Sequence, residues 1–448
     1  MTPGARIQAA IEILEAVDAQ RAPADVVAGG YFKSRRYIGA KDRAAIAGLV
    51  YGVLRHRAQL DWWLARVARD ADGSAADNRR RAIAWLAVGE GWPAERIGAA
   101  FDGGRFRPPR LSPAEARLVD ALIGRTLEHP AQPPWVRHNY PEWLHPALRA
   151  RFGDDLASEM AALGMPAPLD LRANALKTTR DEALRRLAAE GLEVTPTRWS
   201  PWGIRVNGRP PLTGIGAFRE GLVEVQDEGS QLAALLVAAR PGFRVCDFCA
   251  GAAGKSLAIA AAMANKGRIV ALDVSGKRLE GATRRLRRAG VFNVEARTLS
   301  SERDPWVKRH RASFDRVLVD APCSGTGTWR RNPDGKWALR PVDIDELTAL
   351  QRRILDSAAR LVRPGGRLVY VTCSVLPAEN EDQIEWFRNT HAGFRPVPVV
   401  EIWAETIGGA PPTRDTYLRL SPARHGTDGF FVAVLESAQA ADAAPAET

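Results

Sequence analysis

The sequence predicts a multidomain chain in which a doubly wound, mostly parallel α/β sheet is preceded by a small α+β module and an all-α N-terminal helical domain. Three observations carry this reading. The 448 residues exceed one average domain. Apolar residues recur at helical spacing from Ala5 to about Ala99. From Gln226 onward, short apolar strands alternate with helix-period stretches, the pattern of parallel strands joined by helical crossovers.

Taken in order, residues 1–135 read as the all-helical domain. Ala44, Ala45, Leu49, Val50, Val53 and Leu54, then Leu60, Trp63 and Leu64, fall on successive helical faces. The opening from Met1 to Ala19 carries Glu12, Glu15 and Asp18 among its apolar residues, a helical pattern and not the uninterrupted apolar core of a signal peptide. Arg79, Arg80 and Arg81 read as solvated helix surface ahead of a dedicated RNA contact. Between Gly103 and Pro134 the run Gly104-Arg105-Phe106-Arg107-Pro108-Pro109-Arg110 marks a boundary region holding one short helix. Residues 136–225 read as the α+β module, with strand-like pieces at Leu169–Ala173 and Ile204–Val206 and a helical stretch near Glu182–Glu190. Residues 226–436 carry the strands Val245–Phe248, Ile269–Leu272, Val317–Val319 and Leu368–Val371. Residues 437–448, rich in Ala and without periodicity, read as a disordered tail.

Composition narrows the function classes. Hydrophobic residues at 46% and charged residues at 26% describe an ordinary globular chain. The 63 Lys+Arg against 52 Asp+Glu leave +11, which favours a polyanionic partner, since each phosphate neutralised releases a condensed counterion. A high-Arg composition can equally reflect genomic bias. No apolar run approaches the roughly 20 residues needed to span a bilayer, so no membrane is expected and the chain reads as cytoplasmic. The 4 cysteines, Cys246, Cys249, Cys323 and Cys373, would stay thiols in a reducing compartment. Their role is then chemistry rather than stapling.

In a doubly wound sheet the ligand lies beyond the carboxyl ends of the strands. The first strand runs into Asp247-Phe248-Cys249-Ala250-Gly251-Ala252-Ala253-Gly254-Lys255-Ser256, where small residues let the backbone approach a ligand before a helix begins near Lys255. The second strand ends at Asp273, whose carboxylate can accept both hydroxyls of a ribose. A P-loop and a dinucleotide fingerprint would each need glycine at Cys249. A loop and an acid without either phosphate signature fit a nucleoside ligand lacking phosphate, such as S-adenosylmethionine. Cys246 and Cys249 suggest a metal or redox pair, but they are an odd number of residues apart, which places them on opposite faces if the strand continues. No second Cys pair or His cluster completes a zinc site, so no metal is expected.

Two strands end in a thiol. Phe314–Val319 leads into Asp320-Ala321-Pro322-Cys323-Ser324-Gly325-Thr326-Gly327, and Arg367–Val371 into Thr372-Cys373-Ser374. Free cysteine often only fills space, yet two of them at the ligand edge, each in a turn of small residues, suit a paired chemical role. Cytosine offers one: its carbon 5 is too weak a nucleophile to take a methyl group from a sulfonium, and thiolate addition at carbon 6 turns the ring into an enamine that can. A carboxyl at Asp320 can offset charge on the ring nitrogen, and the second thiol can assist loss of the carbon 5 proton. Thiolate is the reactive form.

These blocks, with Arg331-Asn332-Pro333-Asp334, Pro377, Glu379-Asn380-Glu381, Gln226-Asp227-Glu228-Gly229-Ser230 and Asp428-Gly429-Phe430-Phe431, resemble the RNA cytosine-5 methyltransferases of the bacterial RsmB and eukaryotic Sun type. Leu171-Arg172-Ala173-Asn174 resembles that family's preceding RNA-binding module. Gly52-Val53-Leu54-Arg55 and Leu60-Asp61-Trp62-Trp63-Leu64 resemble its NusB-like front domain. The resemblance implies a Rossmann-like methyltransferase that uses S-adenosylmethionine, with Cys373 as nucleophile and Cys323 assisting product release. DNA cytosine methyltransferases use the Pro-Cys thiol as nucleophile, so both thiols together favour RNA. Two departures stand out. Ala252-Ala253 replaces the family's Pro-Gly, and no acid follows the third strand around Arg297-Thr298-Leu299-Ser300 to meet the adenine.

The candidate catalytic residues are Cys373, Cys323, Asp320 and Lys255. The candidate cofactor residues are Cys249, Ala250, Gly251, Ala252, Ala253, Gly254, Lys255, Asp273, Arg278 and Asp320. Arg172, Asn174, Arg330, Arg331 and Asn332 are candidate RNA contacts, and Trp329 and Trp337 either stack a base turned out of its strand or pack the domain. The helix Lys277–Arg288 adds Lys277, Arg278, Arg284, Arg285, Arg287 and Arg288 as mixed solvated and RNA-facing charge. The expected protein is a monomer that methylates carbon 5 of a cytosine in RNA, with ribosomal RNA ahead of tRNA. The alternatives are a non-catalytic RNA-binding or ribosome assembly factor, or a tRNA or DNA cytosine-5 methyltransferase.

Overall fold

The computed structural model describes residues 1–20, 22–68 and 77–439. They form two compact units, one of residues 1–165 with Trp329–Arg340, the other of residues 166–328 with 341 onward.

The first unit is helical. Helix Pro3–Gln20 buries Ile7, Ile11, Leu14 and Val17, and helix Ala40–Arg55 buries Ile46, Val50, Val53 and Leu54; of the residues read from the spacing, Val50, Val53 and Leu54 are buried, Ala45 and Leu49 half-buried and Ala44 exposed. They share one core with Leu60, Trp63 and Leu64 of helix Arg57–Ala68 and with Leu118, Val119 and Leu122 of helix Pro113–Leu122. The last of these starts on a capping box, Ser112 with Glu115. Expected as solvated surface, Arg81 is buried and Arg79 half-buried, each in an ion pair: Arg79 Nε donates to Glu115 at 2.6 Å and Arg81 Nε to Asp61 at 2.7 Å. The segment Trp329–Arg340 belongs to this unit, where Trp337 Nε1 donates to the Leu54 carbonyl at 2.7 Å and Asp334 accepts the Ala24 amide at 3.2 Å.

The second unit opens with a four-stranded antiparallel sheet of β1 (Leu169–Ala173), β2 (Val194–Pro196), β3 (Gly203–Val206) and β4 (Val223–Val225), ordered β2-β3-β1-β4. Pro196 is tolerated because β2 is an edge. Helix Arg180–Ala189 packs on this sheet and begins at the capping box Thr179 and Glu182.

Eight strands build the large sheet: β5 (Arg244–Asp247), β6 (Arg268–Asp273), β7 (Val294–Thr298), β8 (Phe314–Asp320), β9 (Val362–Thr372), β10 (Phe394–Val397), β11 (Leu418–Leu420) and β12 (Phe430–Ser437). The order is β10-β12-β9-β8-β5-β6-β7, with β11 beside β12. Strands β7, β6, β5, β8 and β9 are parallel, whereas β10, β11 and β12 join antiparallel. Each face is buried in its own cluster: Val245, Ile269, Leu318, Val369 and Val371 on one, Cys246, Val270, Leu272, Val317 and Val319 on the other. That two-sided burial is why these strands read as continuous apolar runs. The chain moves from β5 outward to β7 and then returns to β8, so the topological switch lies between β5 and β8. The expectation of a disordered tail falls largely on residues 440–448, outside the described residues.

Candidate active site

The carboxyl ends of β5, β6, β8 and β9 carry most of the chemistry-bearing residues. Asp247, the last residue of β5, is buried. Its Oδ2 accepts the Ser256 hydroxyl at 2.6 Å, and its Oδ1 is buried without a partner. Burial pushes the Asp247 carboxyl up to about 7, against the opposing Ser256 bond.

The loop that follows turns on two left-handed residues, Gly251 at φ 54° and Ala253 at φ 58°. Glycine adopts this freely, but for Ala253 the Cβ meets the following carbonyl at a cost of about 1–2 kcal/mol. This is the position where the resembling family has glycine. Ala252, at the family's proline, is held by another route: Arg285 Nη1 donates to its carbonyl at 2.8 Å. Helix Gly254–Ala262 then starts one residue ahead of the expected Lys255.

Asp273 ends β6 and already accepts two amides, Gly251 N at 2.8 Å on Oδ2 and Ser275 N at 2.7 Å on Oδ1. Each oxygen keeps a second lone pair for a hydroxyl. Lys255 and Asp320 form a short ion pair, Nζ to Oδ2 2.5 Å. Burial alone would lower the Lys255 ammonium, but the Asp320 carboxylate outweighs it and holds Lys255 above its ordinary value.

Cys323 and Cys373 meet, with Sγ to Sγ 3.5 Å. Their turns are locked together. Gly327 N donates to the Cys373 carbonyl at 2.9 Å, and Thr326 Oγ1 shares a 3.0 Å bond with Ser374 Oγ and accepts the Val375 amide at 3.0 Å. Only glycine fits at residue 327, where a Cβ would lie 2.3 Å from the Gly429 carbonyl oxygen. The Cys323 thiol is pushed well above its ordinary range, first by the hydrogen bond with Cys373 and then by burial. Cys323 therefore keeps its proton and can donate it toward the Cys373 sulfur.

Other sequence-predicted residues lie elsewhere. Arg172 is buried, donating to Gln226 Oε1 and, at 3.1 Å, to the Gly254 carbonyl. Asn174 is buried and donates to the carbonyls of Gly221 and Ala289, both at 2.8 Å. Expected as RNA contacts, these two are buried in the structure, and their polar atoms tie the small module to the α/β domain. Arg278 is exposed on the first turn of helix Gly276–Ala289. On that helix Arg285 and Arg288 pair with Glu224 of β4, leaving Lys277, Arg278, Arg284 and Arg287 exposed. Arg330 is buried, Arg331 half-buried and Asn332 exposed, all in the first unit, and Trp329 is buried there. Strand β5 ends at Asp247, so strand parity does not extend to Cys249. Contrary to the opposite-face expectation, Cys246 and Cys249 border the same apolar cluster.

Sequence reasoning gave no role to Asp247, Gln351 or Glu379, and read Arg285 only as solvated or RNA-facing charge, not as a support for the loop. Gln351 and Glu379 bond to residues flanking Cys323. Glu379 sits in a quoted block, which was the available signal.

Three family models match: 16S rRNA methyltransferase RsmB/F over residues 234–436, the RsmF/B-like ferredoxin-like domain over 140–213, and the NusB family over 5–97. The probable ribosomal RNA small subunit methyltransferase B of Synechocystis sp. is 36% identical, over 67% of this chain and 68% of that one. The ribosomal RNA small subunit methyltransferase B of Sodalis glossinidius is 31% identical over 88% and 90%. Among solved structures, the crystal structure of PH0851 matches with TM-score 0.74 and 27% identity, covering 98% of this chain and 99% of that one.

Proposed function

Because the chain belongs to the RsmB/F family of small-subunit rRNA methyltransferases, we propose that it methylates carbon 5 of a cytosine in ribosomal RNA through a covalent bond from Cys373 to carbon 6. The observation that carries this reading is the 3.5 Å approach of two thiols from neighbouring strand ends, beside an acid and a lysine. A single nucleophile explains one cysteine there; an addition that must later be reversed uses two.

The residues fit S-adenosylmethionine. Asp247 Oδ1 is a buried acceptor without a donor, suited to the ligand's ammonium. Asp273 has a lone pair free on each oxygen for the ribose hydroxyls, and the Cys249–Gly254 loop has no side chain larger than a thiol to obstruct it. When bound, the cofactor supplies an electrophilic methyl group on a sulfonium.

Cys373 as thiolate adds to carbon 6 of the cytosine, forming a C–S bond while the ring electrons move toward nitrogen 3. The Lys255–Asp320 pair, with Lys255 buried and Asp320 half-exposed, shares a short hydrogen bond, faces that charge and delivers a proton to the nitrogen. Carbon 5, now an enamine carbon, takes the methyl group. The carbon 5 proton is then lost, the C–S bond breaks, and nitrogen 3 returns its proton. Cys323 suits the last stage. Its thiol gives its proton to the Cys373 sulfur as the C–S bond breaks, and the thiolate left on Cys323 takes the carbon 5 proton, so each sulfur ends as a thiol.

The test is bisulfite sequencing of small-subunit rRNA from cells with and without this protein. One cytosine protected only in its presence is expected. An identical pattern at every cytosine overturns the reading.

A further inference from the structure

Glu379 sits under the Pro-Cys turn, and none of the chemistry above uses it. Its side chain is fully buried in the turn Pro377–Glu379. Oε1 accepts the Ser324 amide at 2.8 Å and Gln351 Nε2 at 3.1 Å, and Oε2 accepts the Ser324 hydroxyl at 2.5 Å. Gln351, equally buried, also donates to the Pro322 carbonyl at 2.9 Å. The residues on both sides of Cys323 are thus tied to one carboxylate. Tyr370 of β9, the strand that delivers Cys373, donates its hydroxyl to the Glu379 carbonyl at 2.7 Å.

Among the described residues Glu379 has no ion pair. A buried anion costs several kcal/mol unless hydrogen bonds compensate it, and three donors do so here. A neutral amide would hold the same turn without that cost, so the charge itself has a role. It lies close enough to Cys323 to disfavour a second anion there, adding to the larger effects of the Cys373 bond and burial.

We propose that Glu379 is the positioning residue of the thiol pair: it fixes the Cys323 turn and, by its charge, assigns the proton-bearing role to Cys323 and the nucleophilic role to Cys373. This rests on the covalent mechanism proposed above. Glu379→Gln keeps the size and removes the charge. Wild type and variant are each treated with iodoacetamide at pH 8, and the two cysteines are quantified by peptide mapping. Wild type should label at Cys373 with Cys323 protected; the variant should raise the Cys323-to-Cys373 labelling ratio by about tenfold. A merely structural loss would expose both thiols together and leave the ratio unchanged. If Glu379→Gln does not fold, Ser324→Ala keeps the charge and removes one hydrogen bond that offsets it, so Cys323 should stay protected and the ratio should not rise; a rise there overturns the assignment.

An unchanged ratio in a folded variant overturns the assignment. In parallel, wild type is incubated with cofactor and rRNA carrying 5-fluorocytosine. Failure to form any protein–RNA bond there sinks the covalent mechanism itself, whereas a bond with an unmoved labelling ratio sinks only the role of Glu379.

Discussion

The sulfur atoms of Cys323 and Cys373 lie 3.5 Å apart although 50 residues separate them in the chain. Neighbouring parallel strands, β8 and β9, bring them together by ending side by side at the edge where the sheet binds ligands. Different roles for the two thiols give different phenotypes. Cys373→Ala should lower methylation by roughly 10⁴-fold or more, as removal of a covalent nucleophile does. Cys323→Ala should still bond to RNA but release it slowly, and a denaturing gel should show a protein–RNA band that wild type lacks. Equal loss of bond formation in both variants would count against the division of labour.

Asp247 sets a pH dependence. Its carboxyl titrates near about 7 in the folded chain, against about 4 when unfolded. Between those values the native state binds the extra proton, so this group's contribution to stability is full below about 4 and falls as pH rises through 7. Cofactor binding runs the other way, because an ammonium wants the ionised acid. Calorimetric titration should show S-adenosylmethionine binding more tightly at pH 8 than at pH 6, and Asp247→Asn should flatten that difference. Tighter binding at pH 6 in wild type would exclude Asp247 as the ammonium's partner.

Ala253 holds a backbone conformation that suits glycine. Ala253→Gly removes about 1–2 kcal/mol of strain and adds about 0.4–1 kcal/mol of unfolded-chain entropy. The net expectation is a small gain in thermal stability, read by calorimetry as a rise in Tm of a few degrees at most. A clear fall in Tm would show that the Ala253 methyl packs too well to lose.

Arg172→Ala should behave as a folding mutation. Losing a buried guanidinium with two acceptors should cost about 2–3 kcal/mol in denaturant unfolding. The slope of log affinity for rRNA against log salt should stay unchanged, because no phosphate contact is lost. A shallower slope would return Arg172 to the RNA interface.

The legible parts of the fold were those with two-sided burial. Strands β5, β6, β8 and β9 are apolar on both faces and announced themselves. Strands β2 and β4, three residues each, are too short to show alternation. Edge strand β7 exposes Glu295, Ala296, Arg297 and Thr298 and so carries no apolar run. In the site, the thiols and the strand-end acids Asp273 and Asp320 were visible because few other roles explain them there. The clamping bonds of Arg172 and Asn174 were not legible because a polar residue beside a strand looks the same in sequence whether it faces solvent or clamps two layers. Glu379 was passed over for the related reason that its partners, Ser324 and Gln351, become neighbours only after β8 and β9 pair.

The decisive experiment is mass spectrometry of the peptide joined to small-subunit rRNA that contains 5-fluorocytosine, after incubation with S-adenosylmethionine. Fluorine at carbon 5 cannot leave as a proton does, so the methylated adduct should persist. The mechanism requires the nucleotide to be bonded to the sulfur of Cys373. A nucleotide on Cys323, or methylated RNA released with no bond to either sulfur, would contradict it.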